Sequence, residues 1–150
     1  MPSSLVLDRF IPYRLSVLTN RLSDAIARQY SERFGLTIPE WRVTAVLGES
    51  SGLSATDVAA RTAMDKVQVS RAVASLVAAG RVARSDDDVD GRVSRLALTR
   101  AGRRIYEEIA PLALSLEAEF LSVLTAEERK ALDRLLIKLA RQVRLMDDKI

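Results

Sequence analysis

The sequence predicts a mainly helical α+β chain with the element order α-α-α-α-β-β-α-α. Three observations in its 150 residues carry that expectation. Apolar side chains recur at spacings of three and four through most of the chain, which builds helical stripes. Two short, capped helices separated by three residues occupy the middle. After them the period drops to two on either side of a polar, glycine-containing loop, the mark of a β-hairpin.

The first helix is expected over about residues 8–34, with Ile11, Leu15, Leu18, Leu22, Ile26 and Tyr30 on one stripe and Gly35 as the residue that ends it. Thr37 and Glu40 form a T-x-x-E capping box for the second helix, and Pro39 falls in its first turn, where a missing N–H costs nothing. Trp41, Val43, Val46 and Leu47 supply its buried face. Ser54 caps a third helix that ends near Arg61, with Asp57 at N3 and Leu53 and Val58 as a hydrophobic staple. Asp65 caps the fourth, which carries Val69, Val73, Leu76 and Val77 and stops at Gly80. Residues 81–84 and 94–98 alternate as strands around the loop Asp86-Asp87-Asp88-Val89-Asp90-Gly91. Thr99 opens a long helix through Ile105, Ile109, Leu112, Leu116 and Phe120, with Pro111 as a point of kinking. Thr125 and Glu128 box the last helix, striped by Leu132, Leu135, Leu139, Val143 and Met146.

Composition excludes several function classes. There is no cysteine and no histidine, which removes thiolate metal sites, thiol redox switches, zinc enzymes and histidine-based acid–base catalysis. No metal or cofactor is expected. The carboxylate pairs Glu107-Glu108, Glu127-Glu128 and Asp147-Asp148 are sequence neighbours, which point about 100° apart on a helix and make no acid–base dyad. No glycine-rich phosphate loop occurs. Catalytic residues are therefore not expected, and the chain reads as no enzyme. No apolar run reaches the ~18 residues of a membrane span, and the N-terminus lacks the basic and apolar regions of a signal peptide. A cytoplasmic protein without a membrane partner is the expectation. Formal charge is +3, and residues 54–104 hold ten Lys/Arg against six Asp/Glu, a net +4. The excess sits in the central third, which points to an anionic partner there.

That central third holds the functional constellation. Two helices joined by so short a turn must cross steeply, which requires small residues where the backbones approach. Ala59 and Ala63 stand there, and Val58, Met64, Val69 and Val73 fill the wedge. This is a helix-turn-helix signature, and the hairpin after it is a wing. The second helix presents Lys66, Gln68, Ser70 and Arg71 from its N-terminal turns. Arginine reads guanine O6 and N7, glutamine reads adenine, and serine and lysine suit phosphates or base edges. Ser54, at the start of the first of the two helices, and Arg84, Arg92 and Arg95 on the hairpin complete the set of DNA-binding candidates. The acidic stretch Asp86 to Asp88 opposes phosphate unless it pairs with neighbouring arginines, and Asp90 is placed to pair with Arg92 or Arg95. It keeps open a second reading, a winged-helix protein-interaction module without sequence-specific DNA binding.

The string Met64-Asp65-Lys66-Val67-Gln68-Val69-Ser70-Arg71-Ala72-Val73, followed by Leu76 and Gly80, resembles the recognition helix of the MarR family of bacterial transcription regulators. Asp90-Gly91-Arg92 and Leu98-Thr99-x-x-Gly102 are similar to that family's wing and following helix start. Ala63 stands where many helix-turn-helix proteins carry glycine. The resemblance runs from about Leu15 to the C-terminus. It implies one winged-helix regulator domain over residues 1–150, with a DNA-binding head at about 37–98 and dimerisation helices at about 8–34 and 99–148. It further implies a homodimer on an inverted-repeat operator of double-stranded DNA, its two heads ~34 Å apart. Members typically repress, and often release DNA on binding a small molecule, frequently an aromatic acid. The matching effector positions are Arg21, which would hold a carboxylate, and Trp41, which would stack on a ring.

Overall fold

Side-chain caps set most of the helix starts. A computed structural model describes residues 4–87, 89 and 91–149 of the chain. The first helix, α1 (Ile11–Phe34), starts three residues later than Asp8, because Leu7–Arg9 form a separate 3-10 turn. It ends on Gly35 at φ +65°, the left-handed conformation that favours glycine. In α2 (Ile38–Glu49) the expected box is half formed. The Thr37 hydroxyl accepts from the Glu40 N–H at 3.3 Å, but it also donates to Glu40 Oε1 at 3.0 Å, which occupies that carboxylate oxygen with the hydroxyl. The box of α3 (Ala55–Thr62) is complete, Ser54 and Asp57 each accepting from the other's N–H at 3.1 Å. Asp65 Oδ1 accepts from the Gln68 N–H at 2.8 Å to start α4 (Lys66–Ala78). Two longer helices follow the hairpin. Thr99 Oγ1 accepts from the Gly102 N–H at the start of α5 (Arg100–Leu121), which Pro111 does not end, and Thr125 and Glu128 form a complete box for α6 (Ala126–Asp147).

The hairpin pairs β1 (Val82–Asp86) antiparallel with β2 (Ser94–Leu98), from Val82 opposite Leu98 to Asp86 opposite Ser94. Asp86 is thus a strand residue rather than part of the loop, its backbone held by the ladder to Ser94. Asp88 and Asp90 lie outside the described residues, and with them the expected pairing of Asp90. On the other edge of β2, Leu53 makes a single bridge: Gly52 N donates to the Leu96 carbonyl at 2.9 Å and Leu96 N to the Leu53 carbonyl at 2.8 Å. Leu53 therefore ties α3 to the sheet as well as stapling it.

The chain divides into two compact units, Met1–Ala113 and Leu114–Ile150. The first holds the core. Val43, Leu47, Val58, Val69, Val73, Leu76 and Leu96 are each at most 2% exposed, so the wedge expected between α3 and α4 is buried as expected, with Met64 at its rim. Tyr30 from α1 and Ile109 from α5 belong to the same cluster. In the second unit, α6 buries no residue, and Leu135, Leu139, Val143 and Met146 are all exposed.

Ala63, in the turn between α3 and α4, has φ 54° and is the one non-glycine residue at positive φ among those described. The left-handed region costs an L-residue ~1–2 kcal/mol, and glycine loses ~0.5–1 kcal/mol of that gain through its freer unfolded chain. Ala63→Gly should therefore stabilise the fold by about 0.5–1 kcal/mol in denaturant unfolding. A loss of stability would show that the turn's conformation is not the strained element.

Candidate nucleic-acid interface

The reading helix is held from behind. Val69, Ala72, Val73 and Leu76 of α4 are buried, which orients the opposite face outward, and Lys66, Gln68, Ser70 and Arg71 are all exposed on it. The Asp65 cap satisfies one N–H of the first turn. Of the helices capped by a side chain, α2, α3 and α6 carry acidic residues in their first turns, whereas α4 and α5 carry none. The Asp65 carboxylate already sits at the positive end of the α4 dipole. Ser54, too, is spent on its own helix: its hydroxyl accepts from the Asp57 N–H.

The wing arginines divide. Arg84 is exposed on β1, and Arg92 is exposed just beyond the tip. Arg95 is turned inward, with Nη2 2.9 Å from Asp87 Oδ2 and Nη1 3.7 Å from Asp57 Oδ2. It latches the wing to the start of α3. The Asp57 carboxyl is held below its ordinary range, first by the Ser54 backbone N–H it accepts and then by the Ser54 hydroxyl, with Arg95 and Arg61 adding smaller effects. One of the acidic residues that opposed a phosphate contact, Asp87, is thus neutralised by Arg95.

Other arginines hold the scaffold. Arg81 Nη2 donates to the Phe34 carbonyl at 2.8 Å, closing the C-terminus of α1, and Arg103 Nη1 donates to the Gly48 carbonyl at 3.0 Å, closing that of α2. Arg61 donates to Ser50 Oγ, and Arg33 pairs with Glu108 at 3.1 Å. Among the described residues, no carboxylate pairs with Lys66, Arg71 or Arg84. Sequence reasoning missed the clamps of Arg81 and Arg103. Their partners lie 47 and 55 residues away, and no local pattern announces such a contact.

Arg21 and Trp41 are not brought together. Trp41 sits in an aromatic stack, 5.6 Å from the Tyr30 ring and 6.4 Å from that of Tyr106, and packs against the core. Gly48 makes room for this stack, because a Cβ there would enter the Tyr106 ring. Arg21 lines a groove of about 480 Å³ along the N-terminal half of α1, beside Arg14, Tyr13 and Leu18. Among the described residues, no group of three or more acidic side chains is placed to hold a metal ion, and no single helix is long and apolar enough to cross a membrane.

Tyr30 is 1% exposed, and burial pushes its phenol up to about 12, against a smaller opposing effect of Arg42. The folded chain then holds this proton more tightly than the unfolded chain. Its contribution to stability is complete below pH ~10 and is lost as pH rises towards ~12, by at most ~1.4 kcal/mol per pH unit. Unfolding free energies at pH ~9 and ~11 should differ more for the wild type than for Tyr30→Phe. Equal differences would place the alkaline sensitivity elsewhere.

Two short helices joined by a left-handed turn, an outward polar helix backed by an apolar face, and a hairpin latched beside it define a winged helix-turn-helix protein. Comparison with known proteins agrees. The MarR family model matches residues 34–93. An HTH-type transcriptional repressor of Mycobacterium tuberculosis is 29% identical over 131 residues, covering 87% of this chain and 91% of the relative. A MarR/EmrR family transcriptional regulator from Acinetobacter sp. ADP1 superposes with a TM-score of 0.86 at 28% identity, over 94% of this chain and 99% of that one. Bordetella bronchiseptica BpsR, solved in a study of how 6-hydroxynicotinic acid regulates its DNA binding, superposes with a TM-score of 0.80 at 25% identity, over 92% and 98%. The chain is similar to MarR-family transcription regulators, as the recognition-helix and wing motifs implied.

Proposed function

We propose that the protein is a homodimeric repressor that reads an inverted-repeat operator with α4 of each subunit and leaves it when a small aromatic acid binds. The observation that carries this reading is the state of α4. Lys66, Gln68, Ser70 and Arg71 share an exposed face with no acidic residue in the first turn and no carboxylate partner among those described, while Arg81, Arg95 and Arg103 are committed to the scaffold. Arg71 and Gln68 supply base contacts, and Lys66 and Ser70 contact base edges or phosphates. Arg84 and Arg92 approach the backbone or minor groove from the wing. Arg95 positions that wing through Asp87 and Asp57, and Ser54 acts through the cap it gives α3. The neutralisation of Asp87 favours DNA over the protein-interaction reading.

Dimerisation is supported by uncovered apolar faces. Ile11, Leu15 and Leu18 on α1, and Leu135, Leu139 and Val143 on α6, are 44–54% exposed. Stripes of this length stay out of water by packing on a second copy. Two heads then meet successive major grooves on one side of the duplex. Release by an effector requires that it bind the DNA-incompetent geometry more tightly than the competent one. Arg21, in its groove with Arg14, and Trp41, in its stack, are the proposed effector contacts. The relative regulated by 6-hydroxynicotinic acid supports an effector of that chemistry.

The test is fluorescence anisotropy with a duplex from upstream of the protein's own gene and with a scrambled duplex, from 50 to 200 mM salt. We expect a clear preference for the native duplex, two subunits per duplex, and a loss of affinity on the order of a thousandfold across the series. No binding to either duplex at low salt would overturn the reading.

A further inference from the structure

Val67 is 58% exposed in the first turn of α4, between Lys66 and Gln68. The apolar face of this helix is already complete without it. A β-branched residue on a solvated helical surface is a poorer helix former than lysine, glutamine or alanine, and here no burial compensates for that. Nor is it one exposed apolar residue among many. From residue 35 to residue 113, the large apolar side chains exposed among those described are Val67 and Val89. One lies on the proposed reading helix and the other in the wing loop.

Val67 stands four residues before Arg71 and three before Ser70, so its Cβ lies about 5–6 Å from each of theirs. Successive base pairs are ~3.4 Å apart, so Val67 and Arg71 reach neighbouring base pairs. The major groove presents one apolar group to such a side chain, the C5-methyl of thymine. We infer that Val67 reads that methyl group, in a base pair next to the one read by Arg71, and is a specificity-determining residue of this regulator. The inference rests on α4 being the reading helix.

The experiment uses the full-length protein and the duplex it selects from a random library. Each thymine is replaced in turn by uracil, which removes the methyl and leaves every hydrogen-bonding group in place. For the wild type, one uracil position per half-site lowers affinity about fourfold, the effect of one buried methyl, and about fifteenfold when both symmetric thymines are replaced. Val67→Ala binds the thymine and uracil duplexes within twofold of each other, while Val67→Thr, which keeps a γ-methyl, retains the discrimination. Both variants fold, because the side chain touches no core. If every thymine tolerates uracil, or if Val67→Ala keeps the wild-type sensitivity, the inference is overturned, while the reading of α4 stands so long as Arg71→Ala still loses specificity. If no duplex is enriched, or if Arg71→Ala also selects and binds like the wild type, the reading of α4 falls and the inference with it.

Discussion

Arg71→Ala lowers affinity for the cognate duplex by roughly 5- to 150-fold, ~1–3 kcal/mol, and relaxes the preference for one guanine in each half-site. The expectation follows from where the residue stands. Its backbone is held by Val69, Ala72 and Val73, each at most 4% exposed, so the guanidinium projects from a rigid support. No carboxylate among the described residues occupies it. A guanidinium offers two parallel N–H donors to O6 and N7 of guanine, and alanine leaves both acceptors without that partner. Affinity for a scrambled duplex, which owes more to phosphate contacts, falls much less. Stability stays within about 0.5 kcal/mol, because an exposed side chain is removed. If the ratio of cognate to scrambled affinity is unchanged, Arg71 makes no base contact and α4 is docked differently.

Gly102→Ala destabilises the fold by about 2–3 kcal/mol, although it replaces glycine inside a helix. Helix propensity alone predicts the opposite, a gain of ~1 kcal/mol. The packing decides the sign. A Cβ at Gly102 would strike the carbonyl oxygen of Arg81, a backbone atom with no freedom to rotate away. That carbonyl accepts from the Thr99 N–H at 3.1 Å, while the Thr99 hydroxyl donates to the Gly80 carbonyl at 2.6 Å and accepts from the Gly102 N–H at 3.1 Å. Moving Arg81 also disturbs its guanidinium, which closes α1 at Phe34. Overpacking against fixed backbone of this kind costs more than the propensity gain. Gly91→Ala is the control: a Cβ there meets nothing within 4 Å, and its effect should stay within about 0.5 kcal/mol. Chemical denaturation of the two variants checks both statements. A Gly102→Ala variant as stable as the wild type would mean that the helix start and the β1 entry are not locked together.

The Leu98-Thr99-x-x-Gly102 run shows how a sequence motif and its cause separate. The motif was legible in the sequence as a resemblance. Its physical content, the cap of the Gly102 N–H by Thr99 and the close approach of Gly102 to the Arg81 carbonyl, needed the fold.

Much of this protein was determined locally. Helix starts follow from Ser54, Asp65 and Thr125, whose partners lie three residues on, and the helix-turn-helix wedge follows from apolar spacing within one short segment. The exposed face of α4 follows from the same periodicity, since placing Val69, Val73 and Leu76 inside turns Arg71 out. Tertiary structure alone decided which arginines are drawn into the scaffold. Arg84, Arg92 and Arg95 look alike in the sequence, yet Arg95 is drawn in by Asp57 and Asp87. Trp41 and Arg21 looked like one site and lie in an aromatic stack and on a separate groove. The half-formed box at Thr37 turned on which donor the Glu40 carboxylate meets. The physical reason is the range of the interactions: caps and amphipathic spacing act within one or two turns, whereas an arginine's long side chain takes whichever acceptor the fold brings near it.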